Sequence, residues 1–156
     1  MPNAVYRQAL DAVVTTIQAL SLTDIPSDEI VVRKRPWDDR DTHVGITVWP
    51  NTERIDDWTP AEGTNNRDMV GYPCVVTMIT GTSRGWDENL TKITTWRQTI
   101  RRAFHNQRLD GVSETGTNRV ICKVEHEAPT IPKEYVKNRD ASQLVVWCWF
   151  LEKRTQ

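Results

Sequence analysis

Residues 144–151 read LVVWCWFL, eight apolar residues in a row. In a strand, successive side chains point to opposite faces. Val145, Trp147, Trp149 and Leu151 then lie on one side, and Leu144, Val146, Cys148 and Phe150 on the other. A strand with one wet face alternates apolar and polar residues; this one does not. It therefore predicts a sheet covered on both faces. Helices can cover one face, and a neighbouring copy of the chain is the economical cover for the other. The run is too short for a membrane helix, which needs about 20 apolar residues.

Working outward from that strand, Arg119–Glu125 (RVICKVE) predicts another strand, with Pro129 and Pro132 marking the loop between the two. Upstream, Leu90, Ile93, Trp96 or Arg97, Ile100 and Phe104 recur at helical spacing. They predict a helix from Asp87, which can cap it, to Leu109, closed by Gly111. Cys74–Thr80 (CVVTMIT) reads as a strand apolar on both faces. Ile30–Lys34 and the alternating Val44, Ile46 and Val48 read as a hairpin around the polar turn WDDRDTH. Val5, Ala9, Val13, Ile17 and Leu20 form the stripe of an N-terminal amphipathic helix over residues 4–20.

The predicted order is α-β-β-β-α-β-β, an α+β domain over residues 1–156 with two helices on one face of a largely antiparallel sheet. Residues 51–71 are left as one long polar loop, unusual in a compact domain.

Composition narrows the function classes. Twenty Lys and Arg nearly balance 21 Asp and Glu, so no whole-domain basic footprint for nucleic acid exists. The N-terminal residues lack a signal peptide's apolar region, and the expectation is a soluble, intracellular protein without membrane contact. Cys74, Cys122 and Cys148 are far apart and each lies in an apolar run, which predicts reduced thiols and no zinc site. Seven tryptophans are many for this length and hint at protein interfaces.

The histidines His43, His105 and His126 show no metal-ligand or nucleophile spacing, and no Walker loop, GxGxxG or GxSxG is present. No catalysis and no cofactor are expected. Glu125-His126-Glu127 invites a cation reading, but a solvated strand end explains it better. Asp38, Asp39 and Asp41 lack the glycine and glutamate of a calcium loop and suit a turn.

One segment stands out. TWRQTIRRAFHNQRL (95–109) holds Arg97, Arg101, Arg102, His105 and Arg108, and on the predicted helix Arg101, His105 and Arg108 share a face. Three readings compete: a solvated face favoured by the helix dipole, inter-subunit pairing with acids such as Glu53, Asp56, Asp57, Asp38, Asp39 or Asp41, and phosphate contact. No aromatic residue interleaves with the arginines for base stacking.

The chain as a whole resembles the tail terminator and head–tail joining (neck) proteins of tailed bacteriophages. AVYRQALDAVVTTIQAL matches their first helix, IVVRKRPWDDRDTHVGITVWP the strands that follow, and YPCVVTMIT leads into the central helix LTKITTWRQTIRRAFHNQRL. QLVVWCWFLEKR is similar to the closing strand. The resemblance implies a homo-oligomeric ring, commonly a hexamer, at the head-proximal end of the tail. Such a ring ends tail-tube polymerisation, contacts the tail tube protein and the head-proximal connector, and passes DNA through its lumen. It also implies a location in the virion, after assembly in the host cytoplasm. Interface candidates are then Trp37, Asp38, Asp39, Arg54, Trp58, Arg97, Arg101 and Arg108. Channel-facing candidates are Arg101, Arg102, His105 and Arg108. The loop 51–71 departs from compact members of the family and suits either an extension reaching the next ring or a different neck component. A small nucleic-acid-binding module using residues 97–108 on phosphates is the alternative.

Overall fold

The computed structural model describes residues 4–34, 45–55, 67–82, 86–112, 120–126 and 139–153. Its elements are α1 (Val5–Ala19), β1 (Ile30–Val32), β2 (Gly45–Pro50), β3 (Arg54–Ile55), β4 (Arg67–Thr82), α2 (Trp86–Phe104), β5 (Arg108–Leu109), β6 (Val120–His126) and β7 (Arg139–Lys153). They form an α+β fold, with two helices on one face of a seven-stranded, mostly antiparallel sheet. The strand order is β1-β2-β4-β7-β6-β5, and β3 pairs with β4 beyond the end of β2.

Helical periodicity places the core as expected. Ala9, Val13 and Ile17 of α1 and Ile93, Trp96, Ile100 and Phe104 of α2 are buried in one cluster with the even-numbered residues of β4 and β7, from Cys74 to Met78 and from Leu144 to Phe150. α1 packs over β1, β2 and β4, and α2 over β4, β7 and β6. Trp96 Nε1 donates to the Thr23 carbonyl at 3.0 Å, and Lys92 pairs with Asp24 at 3.1 Å, so α2 also holds the exit from α1. Among the described residues, no helix is long and apolar enough to cross a membrane.

Three expectations are corrected. β1 and β2 are not a hairpin: they pair in parallel, Ile30 opposite Ile46 and Val32 opposite Val48. Period-2 alternation carries no strand direction, and residues 33–44 are long enough for the crossover that parallel pairing needs. The polar stretch 51–71 is not one loop, since it contains β3 and the start of β4.

β4 and β7 run far beyond their apolar centres because each completes the other's ladder, from Arg67 opposite Lys153 to Thr82 opposite Arg139. Pro73 is tolerated inside β4 because it lies at the break between β2, which ends opposite Cys74, and β3, which begins opposite Gly71. Tyr6 Oη fills that break, donating toward the Pro73 and Asn51 carbonyls and accepting from the Asn51 N–H, all at 2.7 Å.

α2 ends at Phe104 rather than Leu109 and starts at Trp86, so Asp87 lies inside the first turn. Asn106, not Gly111, turns the chain, with φ 57° in the left-handed region. Asn106 and Gln107 then bulge against Cys122: the Asn106 N–H donates to the Cys122 carbonyl and the Cys122 N–H to the Gln107 carbonyl, both at 2.9 Å.

Candidate functional site

The odd-numbered residues of β4 and β7 face away from both helices, and their centre is aromatic. Val75, Val145 and Trp147 are buried there beneath Trp49 and Trp149, which stay half-buried. The Trp147 and Trp149 rings stack with centroids 5.7 Å apart. Gly71 makes room for this arrangement: a Cβ at that position would lie 2.7 Å from the Trp149 ring. Arg54 of β3 lays its guanidinium 4.5 Å above the Trp147 ring and approaches Glu125 of β6 at 3.9 Å.

Polar side chains frame the cluster. Trp49 Nε1 and Gln143 Nε2 both donate to Thr77 Oγ1, at 2.9 and 3.1 Å. Trp147 is only 5% exposed, and its Nε1–H has no acceptor among the described residues. At the margin, Ile121 is 48% exposed. The helix-free face is therefore partly covered by its own tryptophans and Arg54, and what stays open is an aromatic and aliphatic patch with a polar rim. That is the anatomy of a protein-binding surface.

Trp49 and Ile121 were not among the residues singled out from the sequence, although a signal existed. Each is an apolar residue at the outward parity of a strand whose inward parity is already apolar: Ile46 and Val48 in β2, Cys122 and Val124 in β6.

The arginine stripe does not survive as one surface. Arg97 is half-buried and donates from one nitrogen to Ser142 Oγ at 2.7 Å and to the Gln143 carbonyl at 2.6 Å, tying α2 to β7. His105 Nδ1 accepts the Val124 N–H at 3.1 Å, so the ring seals part of the outer edge of β6. Arg108 lies on β5, 3.7 Å from Asp110. Arg101 and Arg102 are exposed in the last turn of α2. Arg101 and Arg97, with Thr94, Thr95 and Gln98, line an open recess of about 370 Å³. Thr94 and Thr95 return their hydroxyls to helix carbonyls, at 2.8 Å to Leu90 and Thr91. The common face expected for Arg101, His105 and Arg108 requires helix through Leu109, and the turn at Asn106 breaks it.

The three thiols, distant in sequence, lie on adjacent strands of the helix-facing side. Cys122 is directly opposite Cys148, and Cys74 Sγ is 3.9 Å from Cys148 Sγ. All are free and buried. The hydrogen bond between Cys122 and Cys148 and burial together push the Cys122 thiol up. For Cys148 that same bond acts downward, but the Cys74 thiol and burial outweigh it and hold the pKa well above the ordinary range. Among the described residues, no group of three His, Cys, Asp or Glu could hold a metal ion.

Trp37, Asp38, Asp39, Asp41, Asp56, Asp57, Trp58 and Glu127 lie outside the described residues, as does the His126 side chain. Glu125, read with His126 as a possible cation site, faces Arg54 instead. Among the described residues, Arg54 is the one interface candidate placed on the helix-free face. No protein-family model and no curated protein matches this chain.

Proposed function

We propose that this chain is a structural subunit of a tailed-bacteriophage neck, a tail terminator or head–tail joining ring, and that it acts through shape and self-association rather than catalysis. The carrying observation is the helix-free sheet face, whose aromatic centre and exposed Ile121 end at a rim formed by Arg54 and Glu125. A heterologous contact on such a face generates a ring when its repeated rotation closes. In that setting the partners are further copies of the chain, together with the tail tube protein and the connector on the head side. DNA passes through the lumen with weak, sequence-blind contacts. The site of action is the virion, after assembly in the host cytoplasm.

Dispersal of the arginines weighs against the alternative phosphate-binding module. Of the five basic residues between 97 and 108, only Arg101 and Arg102 keep the exposed helical placement that reading requires.

Native mass spectrometry and negative-stain imaging of the purified chain test the proposal, with Ile121→Asp as the probe. Ile121 is half-exposed, so the substitution leaves the core intact. A closed ring with a hole wide enough for duplex DNA, lost in Ile121→Asp, is the expected result. A monomer that does not add to purified tail tubes, or a ring indifferent to Ile121→Asp, overturns the reading of this face.

A further inference from the structure

We infer that Cys122 and Cys148 form a disulfide site, a latent covalent staple between β6 and β7. The backbone decides which thiols pair. The Cys122 N–H and carbonyl are both engaged by the turn at Asn106 and Gln107, so they point away from β7. Cys122 and Cys148 are therefore a non-hydrogen-bonded pair of the antiparallel ladder. In such a pair the Cα atoms are about 4.5 Å apart and the side chains closest, within the span a disulfide bridges.

Cys74 competes for the same partner, since its Sγ lies 3.9 Å from that of Cys148. Its backbone, however, stands opposite Val146, diagonal to Cys148. Diagonal positions are about 7–8 Å apart, so bridging them draws two central strands out of register. The geometry selects Cys122 with Cys148 and leaves Cys74 as a free thiol.

The step is a two-electron oxidation by an azodicarboxamide. One thiolate adds to the N=N bond, the second attacks the sulfur of that adduct, and the S–S bond forms as the reagent leaves as its hydrazide. The two thiol protons and the two electrons end on the former N=N group. Both cysteines are buried, so oxidation waits for an opening at the outer edge of the sheet, where β5 covers β6 with only two residues. The site stays reduced until that edge opens.

The full chain is treated with an azodicarboxamide, once in buffer and once in urea just below the unfolding midpoint. It is then quenched with an alkylating agent, digested without reduction and mapped. A peptide linking Cys122 to Cys148, with Cys74 alkylated, is expected. Cys74→Ala keeps that link and Cys122→Ala loses it. The link closes a loop of about 25 residues, so the oxidised chain shifts toward the folded state on the order of 100-fold in urea titration. A dominant link between Cys74 and Cys148, or three alkylated thiols under both conditions, overturns the assignment.

Discussion

Arg97 and Arg101 stand four residues apart on the same helix, yet the structure assigns them different work. Arg97 makes two charge-assisted hydrogen bonds, 2.7 Å to Ser142 Oγ and 2.6 Å to the Gln143 carbonyl. Ser142 is fully buried, so loss of the guanidinium strips a donor from a group that water cannot reach. Hydrogen bonds to charged groups contribute about 1.5–3 kcal/mol each. Arg97 is half-exposed and water compensates one side, so Arg97→Met, which keeps most of the alkyl stem, is expected to cost about 3 kcal/mol. For a domain of this size that lowers Tm by roughly 6–12 °C. Arg101 is exposed, and Arg101→Ala is expected to stay within about 0.5 kcal/mol of the parent. Urea unfolding followed by tryptophan fluorescence measures both, with equal m-values required for the comparison. Arg97→Met within 0.5 kcal/mol of the parent, or Arg101→Ala as costly as Arg97→Met, refutes the distinction.

Gly71→Ala places a methyl group 2.7 Å from the Trp149 ring, which must swing off Trp147. The lost stacking, about 0.5–1.5 kcal/mol, is offset by the gain of about 0.5–1 kcal/mol on replacing a strand glycine. Stability should therefore change by under about 1 kcal/mol while the near-UV circular dichroism of the tryptophans changes clearly; an unchanged spectrum refutes the packing described. The thiols set an alkaline limit. Unfolded cysteines titrate near 9.0, whereas Cys122 and Cys148 hold their protons to higher pH in the fold. Above that value the unfolded chain binds fewer protons, so stability is full below about pH 9 and falls as pH rises, by about 1 kcal/mol per pH unit for each thiol. Cys122→Ala, measured by urea titration from pH 8 to 10.5, should have a shallower decline; an identical slope contradicts this account.

Local chemistry in the sequence determined much of this protein. Apolar spacing of three and four residues marked both helices and the side each buries, because a helix meets the core along one stripe whatever it packs on. Unbroken apolarity at Leu144–Leu151 marked a strand buried on both faces, and Val75, Val145 and Trp147 are buried on the helix-free side. Only the tertiary structure decided matters that depend on which strand lies beside which. Alternation in Ile30–Val32 and Gly45–Pro50 is the same for either direction, so it does not determine their parallel pairing, which is set where the two strands lie together beneath α1. The ends of β4 and β7 carry Arg67, Asp68, Glu152 and Lys153, polar residues made strand by their partner's ladder rather than by their own propensity.

The arginine cluster was legible as composition but not as a surface, because a left-handed turn at Asn106 ends the helix before Arg108. The thiols give the clearest case. Their positions, 74, 122 and 148, carry no spacing signal, and they meet because β4, β7 and β6 are neighbours whose register sets Cys122 opposite Cys148. Periodicity is a property of one segment and survives in the sequence; adjacency is a property of the folded chain and does not.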